Sequence, residues 1–275
     1  EIQSARDLEI LEKIYANSIL LGDQGPAAWG IKYATEFHMT GDSKLFPPRP
    51  KWETQGYRPD EYSRWLKGDW RPIGDLWAEL GTKALPAGER CCAQPPYDTL
   101  PIARADIPPG VILSREADAW VREDSVRDVA LPLYEGRMVG QFDFSEKGWV
   151  SGKGRSAEWR EIPWDRKQIE PQYLMKQINY VDAIAHSGSQ KVALIAIVSG
   201  TNKRGFVCSA VPDFPCSHPT PVLLARGHAD ACGLPAVLNS LVFDWTFRAR
   251  LGSGVMYVSP YLLMEGPAPS RLTIQ

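Results

Sequence analysis

The chain has no long hydrophobic run, no large excess of one charge and no C-x-x-C pair. Its longest unbroken apolar run, residues 192–198, has seven members, whereas a transmembrane helix needs about 20. We therefore expect no membrane partner. The net charge of −2 over 275 residues gives no overall sign of a nucleic-acid binder. The five cysteines are odd in number and two of them are adjacent, which favours a reduced, cytoplasmic compartment over a disulfide framework.

Motifs for chemistry are also missing. The chain has no G-x-S-x-G motif, no paired Cys/His motif and no glycine-rich cofactor loop after a strand. Gln94-Pro95-Pro96-Tyr97 resembles the (Asn/Asp/Ser)-Pro-Pro-(Tyr/Phe/Trp) loop of amino-methyltransferases, but its first position differs, so a proline-rich turn is the favoured interpretation. The chain begins at Glu1 without a leader, and we expect a non-catalytic fragment of a larger protein.

The pattern of apolar residues predicts an α+β fold: a mixed, largely antiparallel sheet with flanking helices and long loops rich in Pro, Gly and Trp. Helical spacing or helix-end signals occur at residues 8–21, 59–68 and 234–251. Strands are expected at 191–199, at its antiparallel partner 205–211, at 221–225, and as a strand, turn and strand over 129–144. We expect an N-terminal loop-rich lobe at residues 1–125 and an α+β core at 126–275.

Two basic segments are hidden inside the near-neutral total. Residues 44–71 hold seven basic and four acidic residues, and residues 147–167 hold six basic and three acidic ones, so each has a net charge of +3. The same segments carry six of the ten tryptophans: Trp52, Trp65, Trp70, Trp149, Trp159 and Trp164. Basic loops interleaved with aromatic residues suit a polyanion held by its phosphates. The alternative is that the tryptophans fasten long loops while the charges are solvated.

Two further sites are open from residue types alone. Cys216, His218, His228 and Cys232 have ligand types that suit zinc, although the first spacing is tight, and isolated side chains are the alternative. Asp23, Asp42 and Lys44 loosely match the acidic pair and D-x-K pattern of a Mg²⁺-dependent nuclease, a pattern that also arises by chance.

Three blocks of sequence are similar to known proteins. Residues 131–145 (LPLYEGRMVGQFDFS), 199–206 (SGTNKRGF) and 238–252 (LNSLVFDWTFRARLG) resemble conserved blocks of N6-adenine DNA methyltransferases and fused restriction–methylase proteins of type II-like restriction–modification systems. Residues 22–53 look like the lead-in to that region. Lys203 and Gly205 stand where that pattern has Glu and Thr.

The resemblance implies that the chain is the target-recognition (specificity) region, which lies C-terminal to the methylase domain. It implies double-stranded DNA and the methylase domain of the same polypeptide as partners. It implies no cofactor in this chain, with S-adenosylmethionine bound by the missing methylase domain, which would flip the target adenine. Alternatives are a Mg²⁺-dependent nuclease module or a docking module that does not touch DNA.

The residues expected to contact DNA fall into three groups. The main group is Lys147, Trp149, Lys153, Arg155, Trp159 and Arg160, the second is Arg49, Lys51, Arg58 and Arg64, and the third is Asn202, Lys203 and Arg204. Arg137 and Gln141 are further candidates in a block expected to serve mainly as scaffold. Lys and Arg neutralise phosphates, whereas Arg, Asn and Gln also suit the edges of guanine and adenine.

Overall fold

The computed structural model of the chain describes residues 2, 4–81, 107–199, 202–250 and 255–271, so the predicted turn at Gln94–Tyr97 lies outside the described residues. Within them the fold is α+β, as predicted, and no helix has both the length and the apolar character needed to cross a bilayer. The helices are α1 (Ala5–Ala16), α2 (Arg49–Glu53), α3 (Ile73–Glu79), α4 (Gln177–Ala183), α5 (His228–Leu238), α6 (Leu241–Arg250) and α7 (Pro260–Met264). The strands are β1 (Ile19–Leu20), β2 (Lys32–Ala34), β3 (Arg58–Pro59), β4 (Trp65–Lys67), β5 (Arg71–Pro72), β6 (Val111–Leu113), β7 (Ala119–Arg122), β8 (Asp128–Pro132), β9 (Lys147–Ser151), β10 (Glu158–Glu161), β11 (Leu174–Lys176), β12 (Gln190–Leu194), β13 (Ile197–Ser199), β14 (Cys208–Val211), β15 (Val222–Ala225), β16 (Val255–Tyr257) and β17 (Pro267–Ala268).

The chain forms two compact units. The first unit is made of Glu1–Gly41, Tyr134–Glu146 and Ile184–Gln275, and the second of Asp42–Leu133 and Lys147–Ala183. Both are assembled from separated segments. Their boundaries therefore differ from those of the lobes predicted at 1–125 and 126–275.

The first unit is built on a four-stranded antiparallel sheet in the order β14-β12-β15-β2. Both neighbours predicted for the strand at residue 191 are confirmed, because Lys191 pairs with Val211 in β14 and with Leu224 in β15. The apolar side chains of α5 and α6 complete this unit's core, where Phe206 packs edge-on against Phe243 with ring centres 5.2 Å apart.

The second unit contains three separate antiparallel sheets. One has the order β11-β8-β4-β3, another has β5-β7-β6, and the third is the two-stranded hairpin of β9 and β10. Tryptophans form much of its core: Trp52 and Trp65 are buried in one cluster and Trp120 is buried in another.

The long helix predicted at 234–251 is two helices. The side-chain amide of Asn239 donates to the Cys208 carbonyl (2.8 Å) and accepts from the Cys208 N–H (3.1 Å), so residue 239 serves strand β14. Ser240 then caps the second helix, because its hydroxyl accepts from the N–H of Phe243 at 3.1 Å. A polar side chain with a specific partner thus interrupts an otherwise continuous helical pattern.

The short helix predicted at 59–68 is wrong, because the segment forms the β3–β4 hairpin. The buried Asp60 carboxylate accepts from the N–H groups of Tyr62 and Arg64 at 2.9 and 2.8 Å. Ser63 adopts a positive φ of 65°. An aspartate that bonds to backbone two and four residues ahead stabilises a turn in competition with a helix.

Three other predicted elements are shorter than expected. Helix α1 ends at Ala16, because Ile19 and Leu20 pair with Ala268 and Pro267 instead. The strand at 191–199 breaks after Leu194, where β12 ends and β13 turns to pair with β16. In 129–144 the first strand is present as β8, but a 3-10 helix at Gly136–Met138 replaces the turn and second strand.

A buried ion pair anchors one edge of the first unit. Lys191 and Glu36 have fully buried side chains, and Lys191 Nζ lies 2.6 Å from Glu36 Oε1. The other carboxylate oxygen accepts from the Cys216 N–H at 2.7 Å, and Lys191 also donates to the Phe214 carbonyl at 3.1 Å. Both charges therefore have partners that replace water.

We predict that Lys191→Met lowers the free energy of unfolding by about 3–5 kcal/mol, because it leaves the Glu36 carboxylate buried without its main counter-charge. Urea unfolding followed by circular dichroism measures the change. The double variant Glu36→Gln/Lys191→Met should recover much of the loss. A loss below about 1 kcal/mol in the single variant would show that the pair is not a stabilising constraint.

Candidate nucleic-acid interface

The β9–β10 hairpin carries the main group of predicted DNA contacts. Trp149 faces Trp159 across the strands and Gly148 faces Arg160, with a register irregularity between Glu158 and Trp159. The two strands form a sheet of their own. A two-stranded β-ribbon of this kind has the dimensions to enter the major groove of DNA.

The tip of the hairpin has a fixed, glycine-dependent shape. Gly152 has a φ of +76°, and a Cβ there would lie 2.3 Å from the Ser156 carbonyl oxygen. A 3-10 turn follows at Gly154–Ser156, in which the N–H and hydroxyl of Ser156 donate to the Lys153 carbonyl at 3.2 and 2.9 Å. Only glycine fits residue 152 without moving the backbone.

Two side chains hold the tip from its base. The Gly152 carbonyl accepts from the indole N–H of Trp149 at 3.1 Å and from the side-chain amide of Gln172 at 3.2 Å. Trp149 is only 8% exposed, and its backbone N–H donates to the Glu170 carbonyl at 2.9 Å. Sequence reasoning identified Trp149 through its basic, aromatic context. It missed Gln172 and Glu170, which carry no local signal.

Four of the predicted cations make no ion pair within the described part of the chain: Lys51 on α2, and Lys147, Lys153 and Arg155 on the hairpin. Lys51, Lys153 and Arg155 are exposed, whereas Lys147 is half-buried. Lys153 and Arg155 stand on either side of Gly154 at the tip. Their charges are therefore free to neutralise an external polyanion.

The arginines among the predicted contacts are mostly neutralised by carboxylates. Arg58 pairs with Asp118 at 2.8 Å, Arg64 with the buried Asp60 at 2.7 Å, and Arg160 with Glu170. The Nε of Arg49 lies 3.3 Å from Glu53. These arginines link parts of the second unit to one another.

Aromatic rings accompany the same arginines. The guanidinium of Arg49 lies 4.7 Å from the centre of the Trp149 ring, and that of Arg58 lies 5.8 Å from the Trp70 ring. Both sequence interpretations of the tryptophans thus describe part of the structure: Trp149 is buried and fastens a loop, whereas Trp164 is 68% exposed.

The third predicted group forms a turn in the first unit. Arg248 donates to the Asn202 carbonyl at 2.7 Å, and Asp244 accepts from the N–H groups of Gly205 and Phe206 at 2.6 and 2.8 Å. Helix α6 therefore fixes this turn. Lys203 is exposed and Arg204 is half-buried, with Arg204 Nη1 buried and unpartnered.

The blocks that carry the sequence resemblance meet in the first unit. Gln141 donates to the Asn239 carbonyl at 3.0 Å, and Asn239 in turn holds Cys208. Gln141 is thus engaged in scaffold contacts, while Arg137 of the same block is exposed. The polar residues of these blocks connect strand β14, the break between α5 and α6, and the turn at Asn202.

The zinc and nuclease alternatives gain no geometric support. Within the described residues, no group of three or more His, Cys, Asp or Glu side chains is placed to hold a metal ion. Cys216 is buried, while Cys232 Sγ lies 3.7 Å from His228 Nε2 as a simple pair. The Asp23 carboxylate accepts from the Leu20 N–H at 2.8 Å, which gives it a structural role.

The chain matches no protein-family model, and it matches no curated protein at a significant level.

Gly152 gives a direct test of the tip geometry. We predict that Gly152→Ala costs about 3 kcal/mol, because the new Cβ would force the Ser156 carbonyl to move as well as strain φ. Gly154→Ala is the matched control: residue 154 also has a positive φ, but its Cβ would meet nothing within 4 Å, so we expect a cost of about 1 kcal/mol. Thermal unfolding measures both. Equal costs would show that the carbonyl contact does not constrain the tip.

Glu135 is a buried acid that sequence reasoning did not single out. Its Oε2 has no hydrogen-bond partner, and burial raises the pKa of its carboxyl from 4.5 to about 7, opposed by the charge of Arg137. The folded state therefore binds the proton more tightly than the unfolded state. It follows that stability decreases as the pH rises from 4.5 to about 7.

We predict that Glu135→Gln stabilises the protein at pH 8, by at most about 3 kcal/mol. The variant should also lose the part of the pH dependence that lies between 4.5 and about 7. Urea unfolding at several pH values measures both effects. A variant whose stability changes with pH as steeply as the wild type would contradict the assignment to Glu135.

Proposed function

We propose that this chain is a DNA target-recognition module, the specificity region of an N6-adenine DNA methyltransferase or restriction–methylase whose catalytic domain lies elsewhere in the polypeptide. The observation that carries the proposal is the β9–β10 hairpin tip, where a fixed backbone presents Lys153 and Arg155 without an ion-pair partner among the described residues. A preorganised cationic ribbon suits the DNA duplex.

The contacts divide between two tasks. Lys51, Lys147 and Lys153 neutralise phosphates and set the position of the module on the duplex. Arg155 at the tip has the bidentate geometry that reads the major-groove edge of guanine. The ion-paired arginines keep the hairpin base and α2 in place, so they contribute orientation more than charge.

The resemblance of the three sequence blocks supports the assignment to this class of enzyme. In the first unit their polar residues contact one another through Asn239, Asp244 and Arg248. We infer that this network is the scaffold of the module and that Lys203, exposed on the turn it fixes, is a secondary contact. S-adenosylmethionine and the chemistry of methyl transfer belong to the missing methylase domain.

Removing the tip cations tests the proposal. We predict that Lys153→Ala/Arg155→Ala lowers affinity for duplex DNA and reduces the slope of log affinity against log salt by about 2, roughly one unit per lost phosphate contact. Fluorescence anisotropy with a labelled duplex, repeated over a salt series, measures both quantities.

The control removes the same charge elsewhere. Arg6→Ala/Lys13→Ala changes two cations on the exposed surface of α1, and it should leave the slope unchanged. If the tip variant behaves like this control, the docking-module alternative gains and DNA recognition by the hairpin is wrong. Mg²⁺-dependent cleavage of plasmid DNA that Asp42→Ala abolishes would instead support the nuclease alternative.

A further inference from the structure

A cavity of about 600 Å³ lies in the second unit beside the base of the hairpin. Its lining includes four arginines, Arg49, Arg58, Arg115 and Arg160, against two glutamates, Glu53 and Glu170. The cavity therefore has a cationic excess of two charges and a size typical of small-molecule sites. The contacts assigned to DNA above use the hairpin tip and leave this cavity unassigned.

Three N–H donors around the cavity have no partner in the protein. They are Nε of Arg49, Nε of Arg115 and Nε1 of Trp65. Trp65 is 3% exposed and Arg115 is 9% exposed. Buried donors without acceptors cost free energy, and most are satisfied in native proteins. All three are donors only, so the group that completes them must be an acceptor.

The glutamates of the lining do not fill this role. The Glu170 carboxylate accepts from Arg160 and from Gln168, and Glu53 lies 3.3 Å from Arg49 without making a hydrogen bond to its Nε. Arg115 spends one nitrogen on the Ile169 carbonyl at 2.7 Å. The acceptor must come from outside the described chain, and the cationic excess favours an oxyanion.

The cavity is larger than a bare oxyanion requires, since one water occupies about 30 Å³. The rest of its wall includes Tyr57, Pro59, Trp149 and Val150, which are suited to a flat ring. We propose that this cavity binds a nucleoside monophosphate, with the phosphate on the donors of Arg49, Arg115 and Trp65 and the base against the aromatic wall. This inference goes beyond recognition of the duplex and does not require it.

Isothermal titration of the full chain with deoxyadenosine monophosphate tests the proposal. Deoxyadenosine and inorganic phosphate serve as separate probes of the two halves of the ligand. We expect the monophosphate to bind at least about tenfold more tightly than either, since one charge-assisted hydrogen bond is worth about that factor. Equal affinity for deoxyadenosine would overturn the phosphate assignment, and equal affinity for inorganic phosphate would overturn the nucleotide assignment.

Two variants remove single donors. Arg49→Lys keeps the charge but deletes the Nε donor, and Trp65→Phe keeps an aromatic ring but deletes the indole N–H. We expect each to weaken binding of the monophosphate about tenfold. Arg127→Gln is the control, because Arg127 pairs with Asp69 on the surface and does not line the cavity. Unchanged binding in a folded Arg49→Lys variant would overturn the proposal even if Trp65→Phe fails to fold.

Competition identifies the source of the nucleotide and separates this inference from the proposed function. A single-stranded oligonucleotide that displaces the monophosphate supports a nucleotide of bound DNA, whereas no displacement supports a free nucleotide. Duplex binding that depends on Lys153 and Arg155, together with no binding of the monophosphate, would overturn the cavity site and leave the proposed function standing. Monophosphate binding without duplex binding gives the opposite result.

Discussion

The second unit depends on one carbonyl group. Gly152 offers its oxygen to the indole of Trp149 and the amide of Gln172, and these two bonds join the turn of the hairpin to its base. Without them, a turn of small and charged residues would have many conformations and would lose entropy on binding any ligand. With them, the positions of Lys153 and Arg155 are set before a ligand arrives.

The charges of the second unit are of two kinds. Arg58, Arg64 and Arg160 are paired with carboxylates and connect separate elements, whereas Lys153 and Arg155 project from the tip without such partners among the described residues. Composition treats all of them alike, because it counts charges and not distances. The division between structural and available cations is therefore a property of the fold, and it narrows a broad basic segment to a small surface.

Local patterns predicted part of the fold and part of the site. Apolar alternation located β12 and both of its neighbours, because a buried central strand has an unmistakable composition. The helix expected at 234–251 and the one expected at 59–68 failed for a shared reason: Asn239 and Asp60 bond to specific backbone groups that periodicity does not register. Trp149 and the hairpin cations were accessible from sequence as a basic, aromatic segment. Gln172 and Arg115 were not, since their partners are distant in the chain.

The position of Arg49 has a further consequence. Its guanidinium covers the ring of Trp149, the same ring that holds the Gly152 carbonyl, while its Nε borders the cavity. An occupant of the cavity that draws Arg49 toward itself acts on the indole that supports the tip. Two ligands that share such a side chain are thermodynamically linked, and each changes the affinity of the other by the same factor. Arg49 would then serve as a relay between a small ligand and a large one.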